Sequence, residues 1–186
     1  MYGLVNKALE EMVVSERGAQ TWERIKSEAG VDVEMFLTNE AYPDDVTYAL
    51  AGATSRVLDV PVPELLERFG VHWVTKTAPQ GYGQLMDSGG RTLAEFLKNL
   101  PAFHTRVGLI FPHLQPPVFS VSDVTERSLR LHYRSHRPGL APFVVGLLQG
   151  LGRRFGTAVR VTHAVGRESG ADHDEFLVQW EAPAAT

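Results

Sequence analysis

Side chains able to do chemistry are concentrated between residues 130 and 140, in the segment RLHYRSHRPGL, which contains three arginines and two histidines. Because side chains alternate along a β-strand, a strand here places Tyr133, Ser135 and Arg137 on one face. That face passes from apolar residues to hydroxyls to a guanidinium, whose donors match carboxylate or phosphate groups. Two structures would explain this row of residues. The commoner one is a half-buried strand whose arginine meets solvent, and the other is a core that opens onto an anionic ligand.

The opposite face of the same strand is basic. It carries Arg130, His132, Arg134 and His136, which we expect to meet solvent or a partner. His173 lies in the turn ADHDE and is also expected to be solvated, because neighbouring residues in a turn seldom converge on one metal. His163 shares its predicted strand face with valines, which indicates a hydrogen-bonded histidine in the interior or at its rim.

His104 has a different context. If a helix begins near Pro101, His104 shares one helical face with Val107 and Phe111, so its imidazole lies in an apolar stripe. A lone histidine in such a stripe is more often a packing residue than a ligand. It is also what a heme iron needs as its proximal ligand, with hydroxyl and cationic donors elsewhere for the propionates. The row at 133 to 137 would supply those donors.

The composition of the chain excludes several classes of protein. At 186 residues it fits one domain, or one domain with a lobe, and its net charge of −4 argues against a general nucleic-acid binder. The absence of cysteine excludes disulfides, thiolate metal sites, catalytic thiols and covalent heme attachment. No segment approaches the roughly 20 apolar residues of a membrane span, and the start lacks a signal-peptide pattern. We therefore expect a cytoplasmic protein that does not bind membranes.

Helices are predicted for the first two thirds of the chain. Apolar periodicity indicates helices over residues 2–13, 21–29 and 45–58, and another that opens at Pro63. Thr92 and Glu95 form a capping box at the start of a further helix. We expect Pro101 to interrupt that helix and to begin a second, short one, which ends in the proline-rich segment 111–117.

From about residue 118 the hydrophobic period becomes that of strands. PVFSVSD and SLRLHYRSH flank one polar turn, and TAVRVTHAV and EFLVQW flank another, with GLAPFVVGLLQGLGRRF as a helix between the two hairpins. The pattern predicts a four-stranded antiparallel sheet and an α+β fold. We expect Gly146 and Gly150 to let that helix pack closely against the sheet or a planar ligand.

Four features of the sequence occur together in one known family. HYRSHR carries Tyr-x-Ser-x-Arg, LPAFHTRVGLIFP places a histidine 29 residues before that tyrosine, QPP lies between them, and the chain begins MYGLVNKALE. Together they resemble the H-NOX family, the heme nitric oxide/oxygen binding domains related to the sensor domain of soluble guanylate cyclase. The resemblance runs from Met1 to about Trp180 and is strongest to standalone cyanobacterial or proteobacterial members.

The resemblance implies a two-lobed domain. A mainly helical N-terminal distal lobe would occupy about residues 1–62, and a proximal lobe with the four-stranded antiparallel sheet and its inserted helix would occupy about 63–186. One noncovalent heme b would lie between them. His104 matches the proximal iron ligand of the family.

The family motif also assigns residues around the heme. Tyr133, Ser135 and Arg137 match the motif that binds the propionates, and Pro117 matches a proline that presses on the heme. The expected distal wall consists of Val5, Leu9, Trp73 and Phe143. Among these side chains only Trp73 could donate a hydrogen bond.

The side chains on the distal side of the heme determine which gas the iron binds stably. Iron-bound O₂ carries partial negative charge and gains from a distal donor, whereas NO and CO need one much less. Oxygen-binding relatives carry a distal tyrosine on the helix after the motif strand. This chain has LAPFVVG there, with Pro142 and Phe143 near the matching place and no tyrosine between 134 and 186. The resemblance therefore implies a ferrous heme that binds NO and CO but does not bind O₂ stably.

The implied function is gas sensing rather than catalysis. Family behaviour suggests that NO weakens the bond between the iron and His104, that the heme relaxes and that the lobes shift. The signal would pass to a separate histidine kinase or diguanylate cyclase, which must bind the two arrangements with different affinity. Two alternatives are a heme-free binding domain for an anionic metabolite and a heme peroxidase or oxygenase, although no distal acid–base pair is evident for the latter.

Overall fold

The computed structural model describes residues 1–110 and 115–181. The chain divides into two compact units, Met1–Phe69 and Gly70–Thr186. The lobe boundary expected between residues 62 and 63 stays a prediction, and the division between the units falls later. Phe111 and most of the proline-rich segment lie outside the described residues. Across the two described ranges, every helix is too short or too polar to cross a membrane.

Four helices begin in the first unit. They are α1 (Gly3–Arg17), α2 (Ala19–Ala29), α3 (Asp44–Leu58) and α4 (Val62–His72), and α4 continues into the second unit. The predicted apolar stripes face the interior, since Leu9, Trp22 and Leu50 are all buried. Gly18 separates α1 from α2 with a φ of 82°, a conformation that favours glycine. The predicted helices of this region are confirmed.

The second unit contains further helices that the sequence pattern only partly predicts. They are a π-helix (Trp73–Thr77), α5 (Ala78–Asp87), α6 (Leu93–Ile110) and α7 (Ala141–Arg154). The sequence did not predict the π-helix or α5, because α5 contains two glycines and Tyr82 departs from helical geometry within it. Both elements precede α6, which carries His104.

Helix α6 confirms one expectation and corrects another. The backbone N–H of Glu95 donates to the hydroxyl of Thr92 at 3.2 Å, and the Glu95 carboxylate accepts from the backbone of Arg91 at 2.8 Å. The expectation that Pro101 begins a new helix is wrong, because a single helix runs through it. Proline removes one hydrogen bond there, and the buried side chains of Leu97 and Leu100 hold the helix in place across the gap.

The sheet is four-stranded and antiparallel, as predicted. Its strands are β1 (Val118–Ser122), β2 (Ser128–Arg134), β3 (Val159–Val165) and β4 (Asp174–Trp180), in the order β1-β2-β4-β3. The inner face buries Leu131, Phe176 and Val178 in one core with residues of α6 and α7. The two predicted hairpins, the inserted helix and the α+β fold class are confirmed.

Glycines allow α7 to approach α4 and the π-helix. A Cβ atom added to Gly70 would lie 2.6 Å from the backbone nitrogen of Leu147 and 2.8 Å from the carbonyl carbon of Gly146. A Cβ on Gly150 would lie 2.8 Å from Cβ of Val74. The expectation of close packing against the sheet is therefore wrong for Gly150, whose close contacts are with Val71 and Val74, while the expectation for Gly146 stays a prediction.

We expect Gly70→Ala to destabilise the protein, because the added methyl group would displace backbone rather than a mobile side chain. Overpacking of this kind costs about 1–3 kcal/mol, which corresponds to a fall in Tm of about 2–4 °C per kcal/mol. The measurement is thermal unfolding followed by circular dichroism. Gly81→Ala is the matched control, since a Cβ there has nothing within 4 Å. An equal Tm for both variants would contradict the proposed close packing.

Candidate functional site

His104 is half-buried on α6 and has a fixed orientation. Its Nδ1 lies 3.1 Å from the backbone carbonyl oxygen of Leu100, which can only accept a hydrogen bond, so Nδ1 carries the proton. Burial lowers the pKa of His104, and the hydrogen bond to Leu100 opposes this effect less strongly. The imidazole therefore stays neutral near pH 7 and presents the lone pair of Nε2, which is the form that binds a metal.

A series of aromatic rings connects His104 to β2. The ring centroid of His104 lies 4.6 Å from that of Phe119 on β1, and Phe119 lies 5.3 Å from Tyr133 on β2. On the other side, Phe103 lies 5.5 Å from His104. Phe119 was not predicted as a site residue, although it occupies the inward position of an alternating strand.

Tyr133 lies on the inner face of β2 and is only 4% exposed. Burial raises its pKa, and a hydrogen bond with the hydroxyl of Ser135 is the largest opposing effect. The phenol therefore keeps its proton well above neutral pH. Tyr133 and Ser135 thus form a pair of linked hydroxyl groups at the end of the strand.

Ser135 and Arg137 lie beyond the strand that was expected to carry them. Strand β2 ends at Arg134, and the two residues belong to the bend that follows. The backbone N–H of Arg137 donates to the Ser135 hydroxyl at 3.1 Å, and Nη1 of Arg137 donates to the carbonyl of Gln115 at 3.1 Å. Both residues are half-buried while His136 is exposed. Local hydrogen bonds, rather than pairing with a neighbouring strand, therefore keep Ser135 and Arg137 on a different side of the chain from His136.

Arg167 and Asp174 support this bend and were missed from the sequence. Nη1 of Arg167 donates to the Ser135 carbonyl at 2.7 Å. The buried carboxylate of Asp174 accepts from the backbone of Arg167 at 3.2 Å and lies 2.9 Å from Nε2 of His163. The hydrogen bond expected of His163 is therefore present, but the residue is exposed rather than interior. The alternation of EFLVQW predicts a strand but not which strand pairs with it, so the link from Asp174 through Arg167 to this bend could not be predicted.

The chemistry of this bend suits an anion. Two hydroxyl groups, from Tyr133 and Ser135, and two guanidinium groups, from Arg137 and Arg167, gather at one end of β2. Such donors bind carboxylates through charge-assisted hydrogen bonds. The rings of Phe119 and Tyr133 connect this donor set to the imidazole. The unit therefore combines a nitrogen able to bind a metal with groups able to donate hydrogen bonds to carboxylates.

The residues expected on the distal side belong to different parts of the chain. Trp73 and Phe143 are in edge-to-face contact, with ring centroids 6.4 Å apart and planes at 78°. Val5 and Leu9 lie one turn apart on α1 in the unit Met1–Phe69. The distal wall therefore stays a prediction. The same holds for the role of Pro117, which is half-buried immediately before β1.

The outer face of the sheet differs from what was expected. Nδ1 of His132 lies 2.9 Å from Nε2 of His173, and the two side chains are only 18% and 12% exposed. The expectation of solvated histidines is wrong for both of them and correct for His136, which is exposed. The cause is the pairing of β2 with β4, which places His132 beside Glu175. Strand alternation alone predicted a solvated face here.

A protein-family comparison matches nearly the whole chain. The sequence profile of the family described as "HNOB: Haem-NO-binding" covers residues 2–163. That range includes His104 and the bend after β2.

Curated relatives with similar sequences include two proteins of Caenorhabditis elegans. Soluble guanylate cyclase gcy-31 is 28% identical over 155 residues, which is 83% of this chain and 22% of the relative. Soluble guanylate cyclase gcy-32 is 26% identical over 191 residues, which is 96% of this chain and 28% of the relative. The chain thus spans about a quarter of the length of these relatives.

Solved structures with the same fold span the whole chain. An H-NOX protein from S. oneidensis in the Fe(II)NO ligation state has a TM-score of 0.89 at 18% identity, covering 98% of this chain and 100% of that one. An Fe(II) unliganded H-NOX protein from K. algicida has a TM-score of 0.87 at 20% identity, covering 100% of each chain. At such identities the likeness shows a shared fold.

Proposed function

Because the chain belongs to the Haem-NO-binding family, whose H-NOX domains are heme-based gas sensors, we propose that His104 holds one noncovalent heme b per chain and that the domain responds to NO and CO. The family assignment agrees with the resemblance found in the sequence. Domains of this family are sensors rather than catalysts, as was expected for this chain. The observation that carries the proposal is the neutral imidazole of His104, held by Leu100 with Nε2 available for iron.

The residues of the second unit fit a heme in two respects. His104 offers a nitrogen ligand in apolar surroundings that lower its pKa. Tyr133, Ser135 and Arg137 offer donors for the propionates, and Arg167 holds the bend that carries them. When bound, a ferrous heme supplies an iron that coordinates a diatomic gas. The heme type and the one-to-one stoichiometry are part of the proposal.

His104 is placed to transmit a change in its bonding to the protein. Its Nδ1 is tied to the backbone of α6 through Leu100, and its ring contacts Phe119 on β1. A change in the force on the imidazole therefore reaches both elements. A partner protein reads such a change only if it binds the two arrangements with different affinity. We propose a histidine kinase or a diguanylate cyclase as this separate partner, and a cytoplasmic location for the domain.

We propose that the domain prefers NO and CO to O₂ because the side chains on the distal side of the heme are apolar. Phe143 has no polar atom in its side chain, and the chain has no tyrosine after residue 133. Without a hydroxyl donor, bound O₂ loses the stabilisation that its partial negative charge requires, while NO and CO lose little. Trp73 is the distal side chain whose N–H could alter this choice.

We expect the heme-supplied protein to show a Soret band of five-coordinate ferrous histidyl heme, and His104→Gly to lose that species. The physical reason is that His104 supplies the ligand nitrogen. His136→Ala, which changes an exposed histidine, is the control and should leave the absorption spectrum unchanged. A five-coordinate histidyl spectrum in His104→Gly would contradict the ligand assignment. No Soret band in the wild-type protein would favour the alternative, a heme-free domain that binds an anionic metabolite.

We expect Arg137→Ala to release heme about 10- to 100-fold faster than the wild-type protein, because a hydrogen bond to a charged group contributes about 1.5–3 kcal/mol. The measurement is the rate of heme transfer to an excess of apomyoglobin. Arg134→Ala is the matched control, since Arg134 lies on the opposite face of β2. Equal release rates for both variants would mean that Arg137 does not contact the propionates.

We expect the reduced protein to form NO and CO complexes and to form no stable O₂ complex in air, because the proposed distal surroundings lack a hydroxyl donor. Absorption spectra recorded after each gas is added provide the measurement. The CO complex serves as the internal control, because it shows that the iron is accessible in the same sample. A persistent oxy spectrum would contradict the proposed gas selectivity.

A further inference from the structure

The outer face of the sheet carries a group of polar side chains that the proposed heme site does not use. His132 on β2 lies directly opposite Glu175 on β4, on the face opposite to the one that carries Tyr133. His173 lies in the bend immediately before β4, and its Nε2 reaches Nδ1 of His132 at 2.9 Å. The three side chains are mostly buried, the most exposed at 19%.

The distances among the three side chains match those of a metal site. Nδ1 of His132 and Nε2 of His173 are 2.9 Å apart, and Oε1 of Glu175 lies 3.6 Å from the first and 3.4 Å from the second. A tetrahedral Zn²⁺ with bonds of about 2.05 Å separates its ligand atoms by about 3.3 Å. A point about 0.7 Å outside the plane of these three atoms lies about 2.05 Å from each of them. The three atoms can therefore bind one ion with little rearrangement.

The far side of His173 is held by a carboxylate. Nδ1 of His173 contacts two groups: a carboxylate oxygen of Asp172, which can only accept, and Nη2 of Arg134 at 3.1 Å, which can only donate. A proton on Nδ1 satisfies the closer contact, with Asp172, and leaves the lone pair on Nε2, which faces His132. The hydrogen bond from His173 lowers the pKa of Asp172. Arg134 also contacts Asp172, at 3.3 Å, and so helps to fix its position. A carboxylate behind a histidine in this way is typical of metal sites.

The other two side chains are held in the same manner. Nε2 of His132 lies 2.8 Å from the hydroxyl of Ser122, which can accept its proton and leave the lone pair on Nδ1. Oε2 of Glu175 accepts from Nη1 of Arg130 at 2.9 Å, which leaves Oε1 facing the histidines. Each side chain therefore has a partner on its far atom and directs an acceptor atom toward one common point.

The charge of the group suits a divalent cation. Three carboxylates surround it, from Asp123, Asp172 and Glu175, against two guanidinium groups, from Arg130 and Arg134. Nδ1 of His132 and Nε2 of His173 face each other at 2.9 Å, and a metal ion binds histidine through the lone pair of a neutral imidazole nitrogen.

We propose that His132, His173 and Glu175 form a second metal site, for Zn²⁺ or a divalent transition metal of the same ligand preference. Two imidazoles and one carboxylate are a common zinc ligand set, and a water molecule completes the coordination. The ion joins β2 to the start of β4 on the face away from the heme residues. It therefore binds independently of the heme.

The test is zinc binding by the purified, heme-loaded full chain. After dialysis against ZnCl₂, elemental analysis should find one zinc per chain beyond the iron. Competition with a chromophoric chelator should show affinity weakened by more than about 100-fold in His132→Ala and in Glu175→Gln, each of which removes a ligand. Asp172→Asn, which removes only the support of His173, should weaken it about 10- to 100-fold.

His136→Ala is the matched control, because it removes an exposed histidine four residues after His132, and it should keep the wild-type affinity. The Soret band of every variant reports whether the domain has folded and retained heme. Failure of the wild-type protein to retain zinc would overturn the proposal. Equal zinc affinity in the wild type, His132→Ala and Glu175→Gln would also overturn it. Unchanged affinity in Asp172→Asn would contradict the role assigned to Asp172 in holding His173.

Discussion

The antiparallel pairing of β2 with β4 places Tyr133 opposite Asp174 and His132 opposite Glu175. Because neighbouring residues of a strand point to opposite faces, this one register fixes the polar groups on both sides of the sheet. On the inner side it brings a buried carboxylate behind the bend that offers donors to an anion. On the outer side it brings two imidazoles and a carboxylate together. A shift of the pairing by one residue would exchange the faces and remove both arrangements.

The two faces differ in how their charges are stabilised. On the inner side, Arg137 and Arg167 donate to backbone carbonyl groups, and Asp174 accepts from the backbone of Arg167. On the outer side, carboxylates and guanidinium groups pair with one another around His132. The donors of the inner arrangement suit an anion with several acceptors, whereas the proposed outer site suits a cation. One small sheet thus presents opposite electrostatic preferences on its two sides.

Much of the fold could be predicted because its elements have strong periodic patterns. The stripes of α1 to α3, the capping box of α6 and the two hairpins all follow from local sequence. The π-helix and α5 could not be predicted, since glycines and Tyr82 obscure the helical period. Part of the candidate site could be predicted, because His104 and the motif around Tyr133 have recognisable neighbours in the sequence. Residues that act through strand pairing, such as Asp174 and His173, could not be found, because register across the sheet is a tertiary property.

Pro101 lies inside α6, three residues before His104. It has no amide proton to donate to the carbonyl of Leu97, so the helix lacks one of its internal bonds in the turn that leads to the histidine. The N-terminal half of the helix is fixed by buried side chains, including Phe96 and Leu97, while the residues after His104 are largely exposed. The helix is thus mechanically compliant at one place, directly beside its proposed ligand. A displacement of the imidazole would therefore meet the least resistance at this turn, next to the Leu100 carbonyl that links the ring to the backbone of α6.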